Sequence, residues 1–238
     1  MGDIVTMDDL TNQEIVAVLD DAERLVPVAR GDVYLPLLQG KVLANMFFEN
    51  STRTRMSFET AMKRLGGSVL NFTSIGTSVA KGETLYDTMQ MIDGYADVAA
   101  IRHPRQGAAQ YSADAVEIPI LNAGDGAGNH PTQTMLDLFT IRQAHGTLEG
   151  LNVVLVGDLR YGRTVHSLSH ALVRFGAKLT LVSPSTLKMP VEIVSDLREH
   201  GSEIMETESL EDQIAGADVI YVTRIQKERF PDEDEYAK

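Results

Sequence analysis

Two periodicities alternate along the chain. Short apolar runs at Lys41–Phe48, Ser68–Phe72, Asp97–Ile101 and Ile118–Leu121 read as buried strands. Between them, apolar residues recur every three or four positions. Ile15, Val18 and Leu19 predict a helix over about 8–25 with Thr11 as its N-cap. Phe58, Ala61, Met62 and Leu65 form one helical face that Gly66–Gly67 ends. Further helices are predicted at about 84–95, about 105–113 and 131–145, the last with Pro131 in its first turn. Leu148–Gly150 reads as a hinge, after which the pattern restarts. Strands are predicted at 152–156, 178–182 and Val219–Val222, and helices at 164–175 and 190–200.

Strands alternating with helices imply parallel βαβ units. The fold expected is α/β, with two doubly wound, three-layer αβα domains. Residues 1–147, including the long linking helix, form the first, and 148–238 form the second, which looks incomplete at its C-terminal end. Open α/β sheets bind ligands beyond the carboxyl ends of their strands, so the active site is expected in the interdomain cleft.

Composition narrows the function classes. The 238 residues include no cysteine, which removes disulfides, thiolate zinc sites and a cysteine nucleophile. No apolar run is long enough to span a membrane, and the acidic start MGDIVTMDDL does not read as a signal peptide. A cytoplasmic protein with no membrane partner is expected. The net charge of −13 argues against general nucleic-acid binding. It also makes any local gathering of arginines informative.

Such gatherings stand after the predicted strands. FFENSTRTR places Ser51, Thr52, Arg53 and Thr54 at a strand-to-helix turn. Arg102 and His103 follow the strand ending at Ile101, and His130 closes the Gly-rich NAGDGAGNHP. Arg160 and Arg163 lie in GDLRYGR, and Arg224 and Gln226 follow Val222. Guanidinium forks pair two-to-two with phosphate or carboxylate, so these loops point to substrates carrying several negative charges. STRTR is not a P-loop and GDLRYGR is not GxGxxG, so neither a nucleoside triphosphate nor a dinucleotide is indicated. His166 and His170 lie four apart on one helix without a carboxylate partner in HExxH order. They read as ordinary helix residues, and neither metal nor cofactor is expected. Taken singly, each loop also fits a bland role as helix cap, tight turn or flexible connection. Their convergence favours a site.

Six stretches together resemble the aspartate carbamoyltransferase catalytic chain, within the aspartate/ornithine carbamoyltransferase superfamily. They are FENSTRTR (48–55), SVAKGETLYDT (78–88), IRHP (101–104), NAGDGAGNHPTQTMLDLFTI (122–141), GDLRYGRTVHSL (157–168) and VTRIQKERF (222–230). The resemblance implies carbamoyl transfer from carbamoyl phosphate to the amine of L-aspartate, in pyrimidine biosynthesis. It implies that Ser51, Thr52, Arg53 and Thr54 hold the phosphate. Thr54, Arg102 and His130 would contact the carbonyl oxygen, and Gln133 the carbamoyl nitrogen. Arg163, Arg224 and Gln226 would hold the carboxylates of aspartate. Ser78 and Lys81 would reach a neighbouring subunit's site in a homotrimer with shared active sites. Regulatory chains are a further partner to consider.

Family members continue beyond the position of Lys238 with an HPLPR segment and a helix returning to the first domain. The resemblance therefore implies a C-terminally truncated chain, less stable than a full-length relative. Two other readings stay open at this point. One is an ornithine or related carbamoyltransferase, which shares STRTR and HPxQ. The other is a truncated chain with only a binding or structural role.

Overall fold

The computed structural model describes residues 2–73, 81–126 and 128–223. The chain divides into two compact units, Met1–Met135 and Leu136–Lys238.

In the first unit, a 3-10 turn at Met7–Asp9 precedes α1 (Asn12–Arg24) and α2 (Val26–Arg30). One helix was expected over about 8–25, but there are two starts. Thr6 and Thr11 each form a capping box, with Asp9 and Glu14 respectively, so the chain is terminated and restarted between them. There follow β1 (Val42–Phe47), α3 (Thr52–Arg64), β2 (Ser68–Thr73), α4 (Leu85–Asp93) and β3 (Val98–His103). The unit continues with α5 (Ala108–Ala113), β4 (Ile120–Asp125) and the start of α6 (Pro131–His145).

The four strands are parallel, in the order β2-β1-β3-β4. Both sheet faces are covered, as a parallel sheet requires. Ala44, Met46, Ala99, Ile101 and Ile120 pack with Met89 and Ile92 of α4 and Ala109 of α5. Leu43 and Ala100 point to the other face, against Met62 and Phe58 of α3. The side chains thus alternate with the pleat, which gives three layers.

Two strands are longer than the sequence pattern indicates. β3 includes Arg102 and His103, which were expected in the following loop, and its pairing with β4 shifts between Ile101 and His103. β4 takes in Asn122–Asp125, expected to belong to the Gly-rich loop. That stretch offers little apolar bulk, yet its polar groups are satisfied internally. Asn122 Nδ2 donates to Val5 O (2.9 Å), and Gly124 N–H donates to Asn122 Oδ1 (2.8 Å).

The second unit contains the end of α6, then β5 (Asn152–Val156), α7 (Arg163–Val173), β6 (Lys178–Val182) and a 3-10 turn at Ser185–Leu187. These are followed by α8 (Val191–Glu199), β7 (Ile204–Thr207), α9 (Glu211–Ile214) and β8 (Val219–Val222). Its parallel order is β7-β6-β5-β8. The pattern had not indicated β7, a four-residue strand whose Met205 and Glu206 are exposed. It lies at the sheet edge, where one-sided burial leaves no apolar run to read. His166 and His170 are packed helix residues. His166 Nε2 lies 2.8 Å from Leu159 O, and His170 Nε2 lies 2.9 Å from Asp196 Oδ2, which ties α7 to α8.

The two sheets begin alike. In ADV at 96–98, Asp97 accepts from Val42 N–H at the start of β1 (2.8 Å) and its own N–H donates to Val42 O (2.9 Å). In ADV at 217–219, Asp218 makes the same pair with Asn152 at the start of β5.

Candidate active site

Each sheet reverses direction once. The chain runs outward from β1 to β2 and returns to β3 on the other side of β1. It runs outward from β5 through β6 to β7, then returns to β8 beside β5. Such switch points leave the loops at the carboxyl ends of the two central strands diverging around a crevice.

The first switch point gathers the predicted carbamoyl phosphate residues. Phe47, the last residue of β1, pairs with Arg102 of β3, and Phe48 N–H donates to Arg102 O (2.9 Å). The chain then turns through Glu49 and Asn50 into α3. Ser51 is the N-cap of α3, with extended backbone (φ −156°, ψ 106°), but its side chain makes no capping bond. Thr6, Thr11 and Thr84 do cap their helices through their side chains. The first N–H groups of α3 are therefore not taken up by a side-chain cap, and they lie at the positive end of the helix dipole. Arg53 is exposed in that turn and Thr54 is half-buried. The start of α3 is anchored to the sheet, because Asn45 Nδ2 donates to Arg55 O (3.1 Å) and to Asn71 Oδ1 (3.0 Å).

Arg102 stands between the flanking strands. Its Nη1 donates to Ala123 O in β4 (3.2 Å), and its Nη2 lies 3.5 Å from Glu49 Oε1. The side chain is only 12% exposed, and Nε is buried without a hydrogen-bond partner, as is Glu49 Oε2. Buried polar atoms are ordinarily satisfied, so these two atoms, without a partner among the described residues, stand out at this strand end. His130 is buried ahead of α6, with Nδ1 3.3 Å from Thr132 Oγ1, and its carbonyl accepts from Gln133 N–H (3.0 Å). Arg102 thus lies in the last residues of β3, while Ser51–Thr54 follow β1 and His130 and Gln133 follow β4, at three adjacent strand ends of one unit.

The other predicted residues lie elsewhere. Lys81 is exposed, and Ser78, Arg224 and Gln226 lie outside the described residues. Arg163 opens α7 in the second unit and is 6% exposed. It follows a tight turn in which Asp158 Oδ1 accepts from Tyr161 N–H (2.9 Å) and Arg160 packs over the Tyr161 ring at 5.1 Å. Gly157 has φ +117°, and a Cβ there would lie 2.5 Å from Thr223 O. The loop after β5 and the residue after β8 are thereby in contact across the second switch point.

The sequence reading missed Glu49 and Asp158. The signal for Asp158 was its position at the head of GDLRYGR. Glu49 carries none, because only the strand register brings it to Arg102.

A cavity of about 800 Å³ in the first unit is lined by Phe48, His103, Arg105 and Tyr111 among others, and not by the predicted phosphate contacts. His103 Nδ1 accepts from Arg105 N–H (3.0 Å), and its ring packs on Phe48 at 5.0 Å. Burial, with the Arg105 charge second, lowers its pKa below the ordinary histidine value. In the second unit Tyr221 donates to Asp137 Oδ2 (3.1 Å). Burial first, then the Asp137 carboxylate, pushes the phenol up to about 12. Among the described residues no group of three or more His, Asp or Glu could hold a metal ion, and no helix is long and apolar enough to cross a membrane.

The geometry defines a class: two parallel-sheet α/β units, the first of which carries an uncapped helix start at its switch point beside an arginine and a histidine. Residues 2–143 match the family described as aspartate/ornithine carbamoyltransferase, carbamoyl-P binding domain, and residues 149–238 match its Asp/Orn binding domain. The chain belongs to the aspartate/ornithine carbamoyltransferase family. The aspartate carbamoyltransferase catalytic subunit of Methanothermobacter thermautotrophicus is 53% identical over 236 residues, 99% of this chain and 76% of that protein. That of Archaeoglobus fulgidus is 52% identical over 239 residues, 100% of this chain and 79% of that protein. Among solved structures, the catalytic subunit of M. jannaschii aspartate transcarbamoylase superposes with a TM-score of 0.92 at 49% identity, over 100% of this chain and 78% of that one. The Trypanosoma cruzi enzyme in complex with carbamoyl phosphate and aspartate gives a TM-score of 0.92 at 43% identity, over 99% of this chain and 75% of that one.

Proposed function

We infer that this chain is the catalytic chain of an aspartate carbamoyltransferase, transferring the carbamoyl group from carbamoyl phosphate to the amine of L-aspartate. The observation that carries the assignment is the uncapped first turn of α3 beside a partly unsatisfied Arg102 at the switch point of the first sheet. A dianionic phosphate fits free N–H groups and a guanidinium, each charge-assisted bond contributing roughly 1.5–3 kcal/mol.

In this reading residues 1–147 bind carbamoyl phosphate and 148–238 bind aspartate. Ser51, Thr52, Arg53 and Thr54 hold the phosphate. Thr54, Arg102 and His130 donate to the carbamoyl oxygen, whose negative charge grows as the amine attacks, and Gln133 accepts from the carbamoyl nitrogen. The C–N bond forms as the C–O bond to phosphate breaks, and the departing phosphate takes the proton released by the amine. No covalent enzyme intermediate is needed. Aligning two bound reactants accounts for roughly 7–11 kcal/mol of the barrier. Arg163, Arg224 and Gln226 hold the carboxylates of aspartate. Ser78 and Lys81 complete a neighbouring copy's site in a homotrimer, acting in the cytoplasm in pyrimidine biosynthesis.

The test is to supply carbamoyl phosphate with L-aspartate or L-ornithine and identify the product. Carbamoyl-aspartate from the first and nothing from the second is expected. Citrulline formation would overturn the assignment of the acceptor.

A further inference from the structure

We propose that Asp125 is a positioning residue for carbamoyl transfer, joining the turn after Arg102 and the loop before His130 into one rigid piece. The proposal rests on the site reading given above. Asp125 is the last residue of β4 and is 3% exposed. Among the described residues, its side-chain hydrogen bonds go to none of the groups assigned to substrate. Its carboxylate instead collects donors from both loops. Oδ2 accepts from Gly107 N–H (2.8 Å), which closes the turn after β3. Oδ1 accepts from Asn129 N–H (2.8 Å), immediately before His130, and from Asn122 Nδ2 (3.2 Å). The backbone of Asp125 adds to the clamp, since its carbonyl accepts from Gly128 N–H (2.8 Å).

The two loops also meet without room to slide. Gly126 N–H donates to His103 O (2.8 Å). A Cβ at Gly126 would lie 2.7 Å from Pro104 O and 2.8 Å from Gln106 N. A Cβ at Gly128 would lie 2.8 Å from Asp125 Oδ1 and 2.9 Å from Gln106 Cγ. Three N–H donors converge on one side chain, two on Oδ1 and one on Oδ2, and a carboxyl group has acceptor sites for all three. Asparagine would set an amide NH2 against a backbone N–H, and one loop would have to move. Arg102 and His130 address one oxygen atom, so their spacing sets how well they stabilise it together. A misplacement on the order of 1 Å costs about 100-fold in rate.

The test is Asp125→Asn in steady-state kinetics on the full chain, with thermal unfolding measured alongside. A kcat lower by about 10–100-fold is expected, with a raised KM for carbamoyl phosphate and a KM for aspartate within about twofold of the parent. In combination with Arg102→Ala, the joint loss in kcat/KM should be at least about fivefold smaller than the product of the single losses, because the two act as a unit. Multiplicative losses would mark a merely structural role and overturn the proposal, as would an unchanged kcat in Asp125→Asn. Gly128→Ala, which presses on the same carboxylate, should give the same split with a smaller loss, and decides the matter if Asp125→Asn does not fold. An Arg102→Ala variant with parental kcat would overturn the site reading itself. A slow Arg102→Ala beside a normal Asp125→Asn would overturn only the role of Asp125.

Discussion

Replacing Arg102 by alanine separates what this side chain does for the fold from what it does for the reaction. In the fold it makes one hydrogen bond, to Ala123 O at 3.2 Å, and one loose ion pair, to Glu49 at 3.5 Å. Glu49 Oε2 is buried, but the side chain as a whole is 39% exposed, and removal of Arg102 opens space for water to reach the carboxylate left behind. The stability loss is then about 1 kcal/mol, in the range of a screened pair. For a chain of this length that lowers Tm by about 2–4 °C. In the reaction proposed above, Arg102 would donate to an oxygen that gains charge only in the transition state. Loss of one such donor costs about 100–1000-fold in kcat, or roughly 2.7–4 kcal/mol. The aspartate carboxylates are assigned to other residues, so the KM for aspartate should change by less than about threefold. Colorimetric measurement of carbamoyl-aspartate at saturating carbamoyl phosphate, with Tm recorded on the same sample, gives both quantities. An unchanged turnover would refute the oxyanion role. A Tm drop of about 10 °C or more would show that the fold depends on Arg102 more than its contacts indicate. Arg102→Lys should restore little, since a point charge cannot reproduce the fork.

Ser51→Ala should leave Tm within about 1 °C, because Ser51 makes no capping bond. Thr11→Ala, which breaks a capping box, should cost about 1 kcal/mol and roughly 2–4 °C in a melting experiment. Gly157→Ala forces a side chain into positive φ and against Thr223 O; a loss on the order of 1–3 kcal/mol is expected, with a raised KM for aspartate in steady-state assays. Asp97 and Asp218 are held below the ordinary aspartate value, Asp97 first by Lys41 and then by the Val42 N–H, and Asp218 by the Asn152 backbone and side chain. A depressed folded pKa gives stability that is full above the ordinary carboxylate range and lost as pH falls through the folded value. Asp97→Asn and Asp218→Asn should therefore flatten the acid limb of a Tm-versus-pH curve and leave its neutral region sloping as before.

Much of this molecule is legible in its sequence because parallel strands buried on both faces give continuous apolar runs. Val153, Val154 and Leu155 are all buried, and the strand they form is plain in the text of the chain. Legibility fails where burial is one-sided or polar. Met205 and Glu206 of β7 face outward, and no apolar run announces that strand. Asn122, Gly124 and Asp125 read as loop, because nothing local shows that Val5, Asn129 and Gly107 will satisfy them. The candidate site follows the same division. Arginines in strand-end motifs could be read directly, while the contacts that orient them could not. Glu49 meets Arg102 only through the pairing of β1 with β3, and Asp125 reaches Gly107 only through the pairing of β3 with β4. Ser51 could be read as an N-cap, but not as one whose side chain is left uncommitted.

The central claim is that the strand-end turns of the first unit bind carbamoyl phosphate. Calorimetric titration of the chain with carbamoyl phosphate alone, compared with Arg53→Ala, tests it most directly. Saturable binding by the parent chain is predicted, weakened by about 10–150-fold in the variant, the equivalent of roughly 1.5–3 kcal/mol for one charge-assisted contact. No binding by the parent chain, or equal affinity in the two, would contradict it.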